Sequence, residues 1–216
     1  MCLFVRNEIL QFYDVSVINS SIEDILWVQF RNKISSNCVN ICVCYLSPEG
    51  SSRMVDPIEY FDHLLSQIYI YQEDGPFIIL GDFNARCGND VDFIEGVDEI
   101  VHRDIIDFTK NKYGDYFLDF LINSNCIMLN GRSKKKNDCT SVSPKGLAVV
   151  DYAIVSHDCI HRCDSFEVIR AFDLFNTVGL EGCCDPDHNI SDHSLLSLLF
   201  VLHDSGNIYQ IMKLSC

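Results

Sequence analysis

Basic residues are scarce in this 216-residue chain: 16 lysines and arginines stand against 31 aspartates and glutamates, a formal net charge of −15. Proteins that grip nucleic acid tightly and without sequence preference do so by neutralising phosphates with cations, so this deficit argues against that mode of binding. Long apolar runs are also missing, none approaching the roughly 20 residues of a membrane span. Residues Met1 to Arg6 lack the basic start and the apolar stretch of a secretory signal, and export is not expected. No Pro/Gly/Ser-rich linker, internal repeat or low-complexity tract divides the chain, which therefore reads as one domain over 1–204 with a tail at 205–216. Its length and 48% hydrophobic content suffice for one substantial core.

None of the twelve cysteines forms a Cys-x-x-Cys pair. With a core available and no export signal, most are read as reduced, small apolar residues, as in the strand-like alternation around Cys42 and Cys44. His157, Cys159, His161 and Cys163, followed by Cys183, Cys184 and His188, could supply zinc ligands, but a period of two matches no usual zinc-site spacing. The plainer reading is a polar turn between two strands. One basic cluster stands out, Arg132-Ser133-Lys134-Lys135-Lys136 after the turn Asn130-Gly131. It reads either as a solvated loop tip or as a hairpin whose Lys134 and Lys135 contact phosphate.

What is abundant is alternation and branched or aromatic runs. Leu3 to Val5, Ile25 to Phe30 and Val39 to Leu46 read as antiparallel strands. Asp56-Pro57-Ile58-Glu59 then signals a helix start, with Asp as cap and Pro at the first turn. Ile58, Phe61, Leu65 and Ile68 follow at helical spacing as its inward face. Phe77 to Leu80 has the continuous apolar character of a strand buried on both faces. An acidic irregular segment over 90–107 precedes a second helix over 114–123, with Phe117, Leu118, Leu121 and Ile122 inward. Further strands are expected at 126–129, 148–155, 166–169 and 194–202. Strands outnumber helices and come in groups, which favours an α+β sandwich of sheets flanked by helices.

Two motifs sit at the ends of these runs. Gly81-Asp82-Phe83-Asn84 follows one core strand, and Ser191-Asp192-His193 precedes another, so two carboxylates, an amide and an imidazole can face one cleft. A third carboxylate, Asp151, lies inside Val149 to Ile154, where a charge is costly unless paired. A histidine would compensate it and fix the ring's tautomer, and His193 is the candidate. Asp82 suits orientation or deprotonation of a nucleophile, Asn84 suits donation to developing charge, and Asp192 suits a hard cation such as Mg²⁺.

These residues resemble the endonuclease/exonuclease/phosphatase superfamily, and the order of motifs matches: Ile41 to Pro48 with its terminal Tyr45, Leu80 to Arg86, Val150 to Ser156 and Ser191 to Ser194. Asn84-Ala85-Arg86, Leu129 to Arg132 and the spacing from Thr140 to Asp151 are most similar to the apurinic/apyrimidinic-like endonuclease domains of non-LTR retrotransposons. The resemblance implies an α+β, four-layer α/β sandwich of two mainly antiparallel sheets flanked by helices. It implies phosphodiester hydrolysis with Mg²⁺ or Mn²⁺, DNA as partner, no membrane, and an intracellular, nuclear setting. By it, His193 contacts the scissile phosphate and is held by Asp151, Asp82 handles the attacking water, Asn84 steadies the pentacovalent state, Tyr45 contacts phosphate and Asp192 helps hold the metal. Arg86, Lys134 and Lys135 would bind substrate.

The family pattern also includes an early strand ending in asparagine and another ending in a metal-binding glutamate. Glu8 and Glu23 do not match that context, so the N-terminal motifs are expected to be lacking, with sheet edges exposed and metal binding weakened. Full-length relatives are expected to carry a fused reverse transcriptase, which is not expected here. The alternative expectation is a non-catalytic retroelement-derived remnant acting as a binding module.

Overall fold

The computed structural model describes residues 2–133, 137–171, 173, 192–204 and 207–213. Lys134 and Lys135 lie outside them, as do Ser191 and three of the zinc candidates, Cys183, Cys184 and His188. Eleven strands among the described residues run in chain order: β1 (Tyr13–Asn19), β2 (Ile25–Asn32), β3 (Cys38–Tyr45), β4 (Phe77–Asp82), β5 (Cys126–Met128), β6 (Ser141–Ser143), β7 (Gly146–Ala148), β8 (Asp151–Ser156), β9 (Cys163–Ile169), β10 (Leu195–Asp204) and β11 (Asn207–Lys213). Helix α1 (Pro57–Tyr71) links β3 to β4, and α2 (Lys112–Asn123) precedes β5. Residues 207–213, read from sequence as part of a tail, pair antiparallel with β10.

One sheet has six strands in the order β1-β2-β3-β4-β8-β5, and β11-β10-β9 form a second. Strands β6 and β7 make a separate hairpin. Only β3 and β4 run parallel in the larger sheet; α1 supplies the crossover such a pair requires. Gly81 permits their close approach, because a Cβ there would meet the Cys44 carbonyl oxygen at 2.0 Å.

Period-two alternation divides the apolar residues between two cores. Phe77 and Ile79, Cys42 and Cys44, and Tyr152 and Ile154 face the helices, joining Phe61, Leu64, Ile68, Phe117 and Leu121. Ile78 and Leu80, Val39 and Ile41, and Ala153 and Val155 face the second sheet, meeting Phe166, Val168, Leu196, Leu198 and Phe200. The larger sheet thus lies between helices and a second sheet, the expected sandwich. Its central strands are buried on both faces, which is why Phe77 to Leu80 shows no alternation in sequence.

Three local expectations are corrected. Leu3 to Val5 forms no strand, although Leu3 and Val5 still pack on the inter-sheet core. The first strand is instead Tyr13–Asn19, a half-exposed strand whose apolar residues alternate only partly with polar ones. Asp56 does cap α1, accepting from the Ile58 amide at 2.9 Å, but the buried face is Tyr60, Phe61, Leu64, Gln67 and Ile68. Ile58 is half exposed. Gln67 is inward because its side-chain oxygen accepts from the indole of the buried Trp27 at 2.8 Å, a polar pairing that a hydrophobic pattern does not reveal.

Candidate active site

The register of the large sheet sets the site. Tyr45 is paired with Asp82 across β3 and β4, and Asp82 with Asp151 across β4 and β8. Directly opposed residues share a face, so the three stand side by side. By alternation they continue the row that includes Ile41, Leu80 and Ala153, which faces the second sheet. They occupy the end of that row, where the apolar inter-sheet core gives way to polar side chains.

The second sheet brings the histidine. His193 lies just before β10, and its Nδ1 is 3.0 and 2.9 Å from the two carboxylate oxygens of Asp151. Asp151 is fully buried and the His193 side chain is 28% exposed. The hydrogen bond to Asp151 pushes the imidazole up to about 9 against the opposing effect of burial, with the charges of Asp151, Asp82 and Asp192 acting in the same direction. The pairing expected for Asp151 and His193 is present.

Asp82 has a different environment. Burial, followed by the charge of Asp151, pushes its carboxyl up to about 7, against hydrogen bonds from Asn84 and the charge of His193. The Asn84 amide N–H donates to Asp82 at 2.9 Å and its side-chain NH₂ donates at 3.1 Å. That NH₂ also donates to the Leu46 carbonyl at 2.9 Å. Asn84 therefore holds Asp82 and the chain following β3 together, and contact with a phosphate would require exchange of one of these bonds. Its backbone has φ 48°, a left-handed conformation that asparagine tolerates better than most residues.

The ligand atoms of Asp82, Asp151 and His193 all lie within 4.8 Å of one another, the one group of its kind among the described residues. Asp192 is exposed beside them and not part of that group. Tyr45 is half buried, at the strand end adjoining Asp82. Arg86 is engaged elsewhere: its guanidinium makes a two-pronged pair with Asp107 at 2.8 and 2.6 Å and donates to the Leu147 carbonyl at 3.3 Å. Arg132, the described basic member of the cluster read as a solvated loop tip or a phosphate-contacting hairpin, has a buried side chain paired with the fully buried Asp92 at 2.8 and 2.6 Å. It anchors the acidic loop rather than meeting solvent.

Two further residues support the site in ways the sequence did not show. The buried Thr140 hydroxyl oxygen accepts from the amides of Val150 and Asp151 at 2.9 and 3.0 Å. Its carbonyl accepts from Ser194 N at 2.7 Å, and Ser141 bridges to His193. This short segment ties the strand of Asp151 to the start of the strand of His193. Asn130, read as a turn residue, is buried; it donates to the Asp151 carbonyl at 3.0 Å and accepts from Ala153 N at 3.2 Å.

No family model and no curated protein matches the sequence. The fold does match solved structures. The endonuclease domain of TRAS1, a telomere-specific non-LTR retrotransposon, superposes over 85% of this chain and 65% of its own, with a TM-score of 0.50 at 17% identity. A 3'-5' exonuclease from Neisseria meningitidis matches over 87% and 70%, with 0.51 at 16%. An AP endonuclease from Leishmania major matches over 82% and 54%, with 0.53 at 12%. The chain thus spans between about half and 70% of the length of these structures, and shares their fold.

Proposed function

We propose that this chain is a member of the endonuclease/exonuclease/phosphatase superfamily, and that its site hydrolyses phosphodiesters with a divalent metal, acting on DNA in the manner of a retrotransposon endonuclease. The observation that carries the reading is the convergence of Asp82 and Asp151, from two neighbouring strands, with His193, from the segment before β10, to within 4.8 Å of one another, in the order of the family motifs. The likeness of fold to nucleases supports it.

The donor set fits a hard cation. Burial, and then the charge of Asp151, raises the Asp82 carboxyl, so an added positive charge beside it would favour its ionised form. Asp192 offers a carboxylate to the ion, with Asp82 as a neighbouring one, and Mg²⁺ or Mn²⁺ suits such a sparse set. Bound there, the ion supplies Lewis-acid charge to phosphoryl oxygens.

The chain's own groups divide the remaining work. Asp151 keeps the His193 ring oriented and cationic near neutral pH, so that its distal Nε2–H donates to a phosphoryl oxygen of the scissile group. Asp82, as carboxylate, accepts a hydrogen bond from the attacking water and takes its proton. Asn84 fixes Asp82 and, by exchanging its 3.1 Å bond, donates to the developing negative charge. Tyr45 offers a phenolic hydroxyl beside Asp82 for a second phosphate oxygen. Arg86, Lys134 and Lys135 are the proposed substrate cations, Arg86 through release from Asp107.

Nicked, abasic and supercoiled DNA incubated with purified protein and Mg²⁺ tests this reading. Cleavage that disappears with a chelator, and in His193→Ala and Asp82→Asn, is the expected result. Equal background in wild type and both variants supports instead the non-catalytic binding module, which the acidic surface favours.

A further inference from the structure

The loop after Asp82 is held by its own hydrogen bonds and by a neighbouring helix. Asn84 is left-handed, and a non-glycine residue there persists only where its surroundings over-determine the conformation. Besides the bonds of Asn84 to Asp82 and Leu46, one side chain grips the loop at two residues: Asn111, the N-cap of α2. Its NH₂ donates to the Asn84 carbonyl at 2.8 Å. Its Oδ1 accepts from Arg86 N at 2.9 Å and from Gly114 N at 2.8 Å. The Asn111 backbone N–H donates to the Arg86 carbonyl at 3.1 Å, so two residues of the loop are gripped from the same point.

Gly114 shows how closely the helix is applied. A Cβ at this position would lie 2.0 Å from the Arg86 carbonyl oxygen, a distance no side chain tolerates. A helix cap needs only an acceptor for the first-turn amides. The donation to Asn84 O is additional to capping, and it is the bond that bears on the site.

We infer that Asn111 is a positioning residue: it locks Asn84 in its left-handed conformation and thereby aims the Asn84 amides at Asp82. Its effect on turnover rests on the hydrolytic reading above; its effect on the geometry of Asn84 does not. Asp is as good an N-cap as Asn and keeps the acceptor for Arg86 N and Gly114 N, but it has no hydrogen to give the Asn84 carbonyl. Asn111→Asp therefore separates the two roles.

The test is amide NMR with hydrogen exchange on the ¹⁵N-labelled chain, alongside thermal melting. In Asn111→Asp the melting temperature and the α2 amides stay near wild type, while the Asn84 amide shifts and exchanges faster. In Asn111→Ala the α2 amides are disturbed as well. In the DNA assay, kcat of Asn111→Asp falls about tenfold to a hundredfold with little change in KM, the scale expected from misplacing a reacting group by a fraction of an ångström to an ångström. Unchanged Asn84 shifts and exchange in Asn111→Asp would overturn the inference and leave Asn111 as a cap only. If the wild-type chain does not cleave DNA, the hydrolytic reading fails, and the Asn84 amide still decides this one.

Discussion

Nδ1 of His193 lies within 3.0 Å of both carboxylate oxygens of Asp151, an ion pair that joins the two sheets with its acid fully buried and its base partly exposed. The pairing has a definite pH signature. Folded His193 titrates near 9, against an ordinary value of 6.5. The folded chain therefore binds more protons than the unfolded one between those values, so the pairing's contribution is complete below about pH 6.5 and lost as pH rises through 9. Partial exposure limits it to on the order of 1–2 kcal/mol. Urea unfolding at pH 6 and pH 9.5 should reveal that decline, and Asp151→Asn should flatten it. The His193 proton resonance of Asp151→Asn should titrate close to the ordinary value.

Asp82 should behave as a stability cost retained for chemistry. Its carboxyl is raised from 3.8 to about 7, so ionising it across that window weakens the fold. Asp82→Asn should accordingly be more stable than wild type at pH 8 and indistinguishable at pH 3.5. A cation that stabilises the carboxylate reverses the effect. Mg²⁺ or Mn²⁺ at a hundredfold excess over its dissociation constant should stabilise wild type by about 2.7 kcal/mol at pH 8 and leave the melting of Asp82→Asn nearly unchanged. Equal responses of the two proteins to the ion would count against Asp82 as part of the metal site.

Thr140 should matter beyond its size. Thr140→Val leaves the amides of Val150 and Asp151 without their shared acceptor at 2.9 and 3.0 Å, a loss of about 1–3 kcal/mol. Because one of those two amides is that of Asp151 itself, the variant should also loosen the Asp151–His193 pair and lower the titration of His193. Thr140→Ser keeps the hydroxyl and should restore both. A Val variant that is destabilised with His193 unmoved would reduce Thr140 to a packing role.

The fold was readable where the chain writes a strong pattern. The run Phe77 to Leu80 and the Asp56-Pro57 start are local signals, and both elements formed where expected. The motifs at Asp82, Asp151 and His193 were also readable, since a carboxylate in an apolar strand demands a partner. What escaped were residues whose importance is tertiary. Thr140, Asn130 and Asn111 have unremarkable neighbours in sequence, and their polar atoms matter because they meet backbone groups from 10 to 27 residues away. Arg86 looks in sequence like a substrate contact, and Arg132 like part of a solvated basic cluster. Each instead has an aspartate far along the chain, Asp107 and Asp92, which no local pattern pairs with it.

That pairing also restrains the nucleic-acid reading. Among the described residues Arg86 and Arg132 are both engaged with aspartates, so a phosphate contact by Arg86 has to displace Asp107 and should be sensitive to salt.

The most direct test of the proposed chemistry is the pH dependence of single-turnover DNA cleavage with Mg²⁺. The account predicts a bell: an acid limb at or below about 7 from ionisation of Asp82, and an alkaline limb near 9 from loss of the His193 proton. Asp151→Asn should move the alkaline limb downward, and Asp82→Asn should abolish the acid limb with most of the rate. A profile that neither variant alters, or no Mg²⁺-dependent cleavage at any pH, would contradict it.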